Sequence, residues 1–472
     1  MQIIVILLAF MAVMAMPEVR VRFPLPHWAV LGAIVLYLAV AAVMERLIAI
    51  WSIRRMNSAV IRVDRGQRAQ DLLWMLTQGY LLAGLAALLL GGLGDLVEWA
   101  RPAPLLAEAL MIAPFVAALL LAWWMQYPVH LALRMRWAQL PGAVDTPVWS
   151  RGQFLKYNFR VQFLFVAAPL GLIVLLRDTE AIYVWPMLTS VLKAHGWILL
   201  PEGESLVQLA ISLGVVLVAP AIIVRVWPTR PLPEGELRAD LEQVKDRLRL
   251  RYREILLWKS GGVVANAAVM GLLAPVRYVL ISDALVRHMD RRQVRAVFAH
   301  EAGHILSHHL FYCTLFMVGA VATAIAAASV LMALGIGENL AEASAVAMMA
   351  VPGFLAFGRI SRAFERQSDV IGAWVAGTEF HEGPDADRVT PEGAAIFALA
   401  LQQVASINGT PPGSPNWRHG SIQSRVSYIF HLGASGGSRR QIDREVRRIK
   451  IGLWALLALS IAAAVAAQMR WG

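Results

Sequence analysis

The chain has 472 residues, 58% of them hydrophobic and only 16% charged, where soluble domains carry about 25% charged residues. Several apolar runs reach the roughly 20 residues that a helix needs to cross a bilayer, which excludes a soluble globular protein. The net charge of +11 does not point to nucleic acid, because the arginines gather in loops between apolar runs, the positive-inside pattern of membrane topology.

The first apolar run, 2–16, has no basic stretch ahead of it and no small-residue cleavage site before Pro17. It reads as a short first span rather than a removed signal peptide. Further spans are expected at about 28–50, 72–94, 104–126, 159–177 and 205–227, closing an N-terminal membrane region over 1–227. The stretch 181–200 is apolar but broken by Pro186, Lys193 and His195, and reads as a re-entrant or interfacial piece. Arg54, Arg55, Arg62, Arg65 and Arg68 follow the second span, and Arg134, Arg136, Arg151 and Lys156 follow the fourth. The opposite loops hold only Arg20, Arg22, Arg101 and Lys193, so the arginine-rich loops belong in the cytoplasm. Alternation places 228–309 and 359–450 on the same side.

Segment 228–309 is long enough to fold. Pro228, Pro231 and Pro233 precede a charged helix from about Glu234 to Leu250. Strand-like runs follow at Glu254 to Trp258 and at Tyr278 to Ser282, with Gly261, Gly262 and then Asn266 and Ala267 between them. Asp290 with Gln293 three positions on marks a capping box, and the helix it starts is expected to run to about His309. On that helix His300 and His304 are four apart and share a face, so both imidazoles can aim at one point. Zinc takes nitrogen ligands at about 2.0–2.1 Å. Glu301 is turned away from that point but is placed to take a proton from water there, the His-Glu-x-x-His arrangement. His308 and His309 extend the helix and read as supporting groups rather than a fourth ligand, since catalytic zinc keeps a position for water.

Two spans at about 310–334 and 341–358 lead to the second polar segment. The single cysteine, Cys313, lies in the first of them, which rules out an intramolecular disulfide and a cysteine metal site. A helix at 359–376 carries Glu365 and Asp369, again four apart. Glu365 completes a His-His-Glu ligand set with one open position, and Asp369 is placed to accept a hydrogen bond from a ligating histidine. The competing assignment is an ordinary charged face pairing with Arg362 and Arg366. An acidic loop at 378–389, a helix from Pro391 to Ile407 capped by Thr390, a loop at 409–418, and a basic amphipathic helix at 437–450 follow. The last span is expected at 451–468, within 451–472.

Over roughly 230–430 the chain resembles the membrane metallopeptidases that include the type I CAAX prenyl proteases and the HtpX-type heat-shock proteases. The motif, the carboxylate two spans later and the intervening pair of spans carry the likeness. Asn266 and Ala267 with Gly271, followed by Tyr278 to Ser282, look like the family's edge strand. The resemblance implies that Asn266, Ala267 and Tyr278 hold a substrate peptide by β-augmentation. His419-Gly-Ser-Ile-Gln-Ser-Arg425-Val looks like the family's His-Pro-x-x-x-x-Arg-Ile element, which implies that His419 sits by the scissile carbonyl and Arg425 supports the site. Gly420 and Ser368 depart from the family pattern. The implied fold is a mainly α, polytopic membrane protein of about nine transmembrane helices, with a small α+β zincin-type catalytic domain at the cytoplasmic face. Its implied cofactor is one zinc ion per chain; its partners are a peptide or protein substrate at the membrane face and the lipid bilayer, with no nucleic acid. Arg291, Arg292 and Arg295 beside the motif argue against an intramembrane site-two-type protease. The rival from another class is a catalytically silent scaffold or transporter, against which the intact Glu301 speaks.

Overall fold

The computed structural model describes residues 2–16, 23–58, 63–137, 147–195, 203–377, 388–414, 416–437 and 439–471. They form two compact units, Met1–Thr229 with Trp258–Gly261, and Arg230–Leu257 with Gly262–Gly472. Eight helices among the described residues are long and apolar enough to cross a membrane. The acidic loop expected at 378–389 falls mostly outside the described residues.

The first unit is helical: α1 (Gln2–Ala15), α2 (His27–Ser58), α3 (Val63–Leu88), the short α4 (Gly94–Leu96), α5 (Leu106–Trp137), α6 (Arg151–Asn158), α7 (Leu164–Thr179), α8 (Trp185–Ala194) and α9 (Gly203–Val226). Two expectations need correction here. With 14 residues, α1 is about 21 Å long, too short for a span. Its Ile6, Ala9 and Val13 are buried in a core with Phe115 and Trp123, so eight helices among the described residues qualify as spans where about nine were expected. The stretch expected to be re-entrant or interfacial, and broken at Pro186 and Lys193, is instead unbroken helix up to Ala194, continuous with α6 and α7 through π-helical turns at Phe159–Phe163 and Glu180–Val184. Pro186 comes just after the second π-helical turn, and the helix continues through it. Residues 196–200 lie outside the described residues.

The second unit contains a small sheet and its flanking helices. The elements are β1 (Thr229–Pro231), α10 (Glu236–Arg247), β2 (Glu254–Trp258), β3 (Ala267–Met270), β4 (Tyr278–Ser282), α11 (Asp283–His288), α12 (Arg291–Leu306), α13 (His309–Ala333), α14 (Glu338–Gly377), α15 (Pro391–Asn408), α16 (Ile422–Ala434) and α17 (Arg440–Trp471). Strand order is β1-β2-β4-β3, which leaves β3 on the edge. It pairs antiparallel with β4 from Ala267 opposite Ile281 to Met270 opposite Tyr278. All five residues of β4 are buried, as an apolar inner strand requires.

Asp290 and Gln293 form the expected reciprocal capping box at the start of α12. The helix ends earlier than expected, at Leu306, because His308 adopts a left-handed φ of 54° and the chain restarts as α13. Where a span and a separate helix were expected, α14 is one helix of 40 residues. The amphipathic helix and last span likewise merge into α17, with 32 residues. Crossing of α12 and α14 depends on Gly303: a Cβ there would lie 2.9 Å from Ser368 Cα, closer than real side chains approach. Phe364, Val370 and Phe397 fill the core around this crossing, each at most 2% exposed.

Candidate metal centre

The close crossing at Gly303 sets one turn of α12 against one turn of α14. His300 Nε2 and His304 Nε2 face each other 3.3 Å apart. Two nitrogens held about 2.0–2.1 Å from one tetrahedral centre stand roughly 3.3–3.4 Å apart, so the spacing suits zinc. Glu365 completes the group, with Oε2 3.6 Å from His300 Nε2 and Oε1 3.7 Å from His304 Nε2. Among the described residues, only these three bring His, Cys, Asp or Glu ligand atoms together in this way, all within 4.8 Å. Two imidazoles and one carboxylate fit a catalytic zinc ion with one position left open.

Asp369 is fully buried one turn after Glu365, and its Oδ1 lies 2.9 Å from His300 Nδ1. That contact occupies the far nitrogen of His300 and turns Nε2 toward Glu365. Arg425 closes on Asp369 with two hydrogen bonds, Nε to Oδ2 at 2.9 Å and Nη2 to Oδ1 at 2.5 Å. The charged-face alternative is not what forms: Arg362 donates to the carbonyl of Trp417 at 2.7 Å, and Arg366 lies over the ring of Tyr428.

Residues 231–383 match the model of peptidase family M48. This segment belongs to peptidase family M48. The Protease HtpX homolog of Aeropyrum pernix is 36% identical over 103 residues, 21% of this chain and 32% of that protein. The match therefore spans about a third of the curated relative's length. The crystal structure of S. mikatae Ste24p aligns at 14% identity and a TM-score of 0.37, covering 86% of this chain and 100% of that one, a likeness too loose to argue from. The M48 segment holds Asn266, Ala267, Tyr278, His300, Glu301, His304, Glu365 and Asp369, whereas His419 and Arg425 lie beyond it.

Around the M48 histidines the electrostatics divide the labour. Burial holds the pKa of His304 down at about 4, so its ring is neutral near neutral pH. Burial also works against protonation of His300, but Asp369 outweighs it and raises this ring above the ordinary histidine range. Burial lifts the Glu301 carboxyl above the usual carboxylate range, with His300 opposing and Glu365 adding to the rise. Burial disfavours the charge on Arg425, yet Asp369 and Glu365 hold the guanidinium more firmly protonated than usual.

Glu301 Oε2 accepts a hydrogen bond from the Val269 N–H of the edge strand at 3.1 Å. Glu301, Val269, Asn266, Ala267, His419 and Arg425 line a cavity of about 510 Å³ together with the two histidines and Glu365. Tyr278 is not brought to this cavity. It sits on the inner strand β4, 6% exposed and opposite Met270, because the strand order places β3, not β4, at the edge. His419 stands at the mouth, 41% exposed, with Nδ1 2.8 Å from Glu365 Oε1.

Sequence reasoning missed two contributors. Val269 acts through its backbone, which no residue type signals. Asn408, at the end of α15, brackets Ala265 just ahead of the edge strand, accepting from its N–H at 2.9 Å and donating to its carbonyl at 2.7 Å. His309, read from the sequence as a supporting group, is buried against His304 with the two Nδ1 atoms 3.0 Å apart.

Proposed function

We propose that this chain is a zinc-dependent endopeptidase of the membrane, which hydrolyses peptide bonds in membrane-associated or membrane-proximal proteins from the cytoplasmic face. The observation that carries the reading is the meeting of His300 Nε2, His304 Nε2 and a Glu365 carboxylate oxygen within 4.8 Å, with Glu301 in the same cavity. His300, His304 and Glu365 would hold one zinc ion. When bound, zinc supplies Lewis acidity, polarising a carbonyl and lowering the pKa of water to about 7.

The chain's own groups account for the rest. Glu301, with its proton affinity raised by burial, accepts a proton from the attacking water and can return it to the leaving amine. Asp369 orients His300 and is itself held by Arg425. Val269 points its N–H away from β4, and Ser282 N–H reaches Asn266 O at 3.0 Å, so alternation turns the N–H and C=O groups of both Ala267 and Val269 to the free edge. An extended substrate can pair there as an added strand. His419 at the cavity mouth is available to a carbonyl oxygen as charge develops on it. The arginine-rich loops support the cytoplasmic orientation.

The test compares the purified full-length chain with Glu301→Gln, both zinc-loaded, on casein or a peptide library. The substitution is expected to leave zinc bound and to slow cleavage by about 10²–10⁴-fold. Equal rates would sink the reading, and a parent chain that binds zinc but cleaves nothing would favour the scaffold.

A further inference from the structure

Behind His304 lies a run of polar groups that the proposed reaction does not use. His304 Nδ1 is 3.0 Å from His309 Nδ1, His309 Nε2 is 2.8 Å from Gln367 Oε1, and Gln367 Nε2 is 2.6 Å from Asp443 Oδ1. His309 is 2% exposed and Gln367 6%, and the His309 ring stacks on Phe364 with centroids 4.2 Å apart. Asp443 lies in the first turn of α17, and its other oxygen accepts from Arg439 Nε at 3.2 Å. The run thus ties the back of the metal centre to the root of the last helix.

Two ring nitrogens 3.0 Å apart share one proton, and the far end of the run decides which ring owns it. The Asp443 carboxylate only accepts, so the Gln367 amide turns its NH₂ toward Asp443 and its oxygen toward His309. That oxygen takes the proton of His309 Nε2 and leaves His309 Nδ1 as an acceptor. His304 Nδ1 must then be the donor, which keeps the lone pair of His304 Nε2 free and facing His300 and Glu365. The opposite order would set the amide oxygen of Gln367 against a carboxylate oxygen. Ser368 Oγ, 3.5 Å from His309 Nδ1, can donate to the same acceptor.

We infer that His309, Gln367 and Asp443 are positioning residues that fix the metal-binding tautomer of His304 from the base of α17. The inference rests on the zinc reading above. It adds that a carboxylate three links away from the ligand governs how well the ligand binds.

The experiment measures zinc affinity by chelator competition on the full-length chain in detergent, with the Co²⁺ absorption spectrum as a second readout. Asp443→Asn offers Gln367 either an oxygen or an N–H, so the direction of the chain is lost, and affinity is expected to fall about 10-fold. Combining it with Gln367→Glu moves the carboxylate one link inward, where it accepts both from His309 Nε2 and from the introduced amide. This double variant is expected to bind zinc within about 3-fold of the parent. His309→Leu removes the acceptor outright and is expected to cost about 10–100-fold. If it fails to fold by circular dichroism, the half-exposed Asp443 site and its rescue decide the matter. The inference is overturned if Asp443→Asn binds zinc within about 2-fold of the parent, or if the double variant binds no better than the single one. Glu301→Gln is the control that separates the two proposals, since it should slow cleavage by about 10²–10⁴-fold while keeping zinc bound as in the parent. A parent that binds no zinc removes both.

Discussion

Replacing Arg425 by methionine tests the electrostatic frame of the site. Asp369 is fully buried and Arg425 is 12% exposed, and two hydrogen bonds join them. Methionine fills similar space but leaves the carboxylate with His300 as its remaining polar partner. Breaking a buried ion pair from one side costs about 3–5 kcal/mol, because the surviving charge has neither water nor a counter-ion. For a unit of about 150–250 residues, each kcal/mol moves the melting temperature by roughly 2–4 °C, so the expected drop is roughly 6–20 °C. Thermal unfolding in detergent, followed by intrinsic fluorescence, reads this directly. Adding Asp369→Asn removes the stranded charge while keeping an oxygen for His300, and is expected to recover at least about half of the loss. If Arg425→Met melts within about 2 °C of the parent, or if the double variant melts lower still, the pair does not have the role described.

Gly303→Ala is expected to destabilise the second unit by about 1–3 kcal/mol and to lower zinc content, because its Cβ would meet backbone 2.9 Å away and force α12 off α14; melting and metal analysis check this, and a parental zinc content would refute it. Zinc binding is expected to weaken as pH falls, since His300 and His304 ligate only when neutral. Asp369 raises the proton affinity of His300 against its burial, so the proton competes at His300 first, while His304, held down at about 4, competes only in stronger acid. Chelator competition from about pH 8 to about pH 5 should show affinity falling about tenfold per unit once below the raised His300 value, and a flat profile would contradict it.

Much of this site was legible from spacing alone, because helices convert sequence intervals into faces. Residues four apart on α12 and on α14 were bound to share a face, and Asp290 with Gln293 announced where the first of these helices starts. What spacing could not supply was the relation between elements. Tyr278 was misplaced because strand order depends on pairing across the sheet, and β4 turned out to be the inner strand. The helix Gln2–Ala15 has the composition of a span but not the length, and its burial against Phe115 is a tertiary fact. Val269 contributes an N–H that any residue but proline would carry. The link from His309 through Gln367 to Asp443 joins three helices, and no interval in the sequence relates them.

The unbroken run of α14 has a mechanical consequence. At 40 residues it is about 60 Å long, and it carries an apolar stretch fit for the bilayer and the Glu365 carboxylate on one rod. A carboxylate mounted this way changes its height over the lipid as the helix tilts or bends, and the interior Pro352 is a place for such a bend. On the function proposed above, the tilt of α14, or a bend at its Pro352, would set how far from the bilayer a polypeptide is cut.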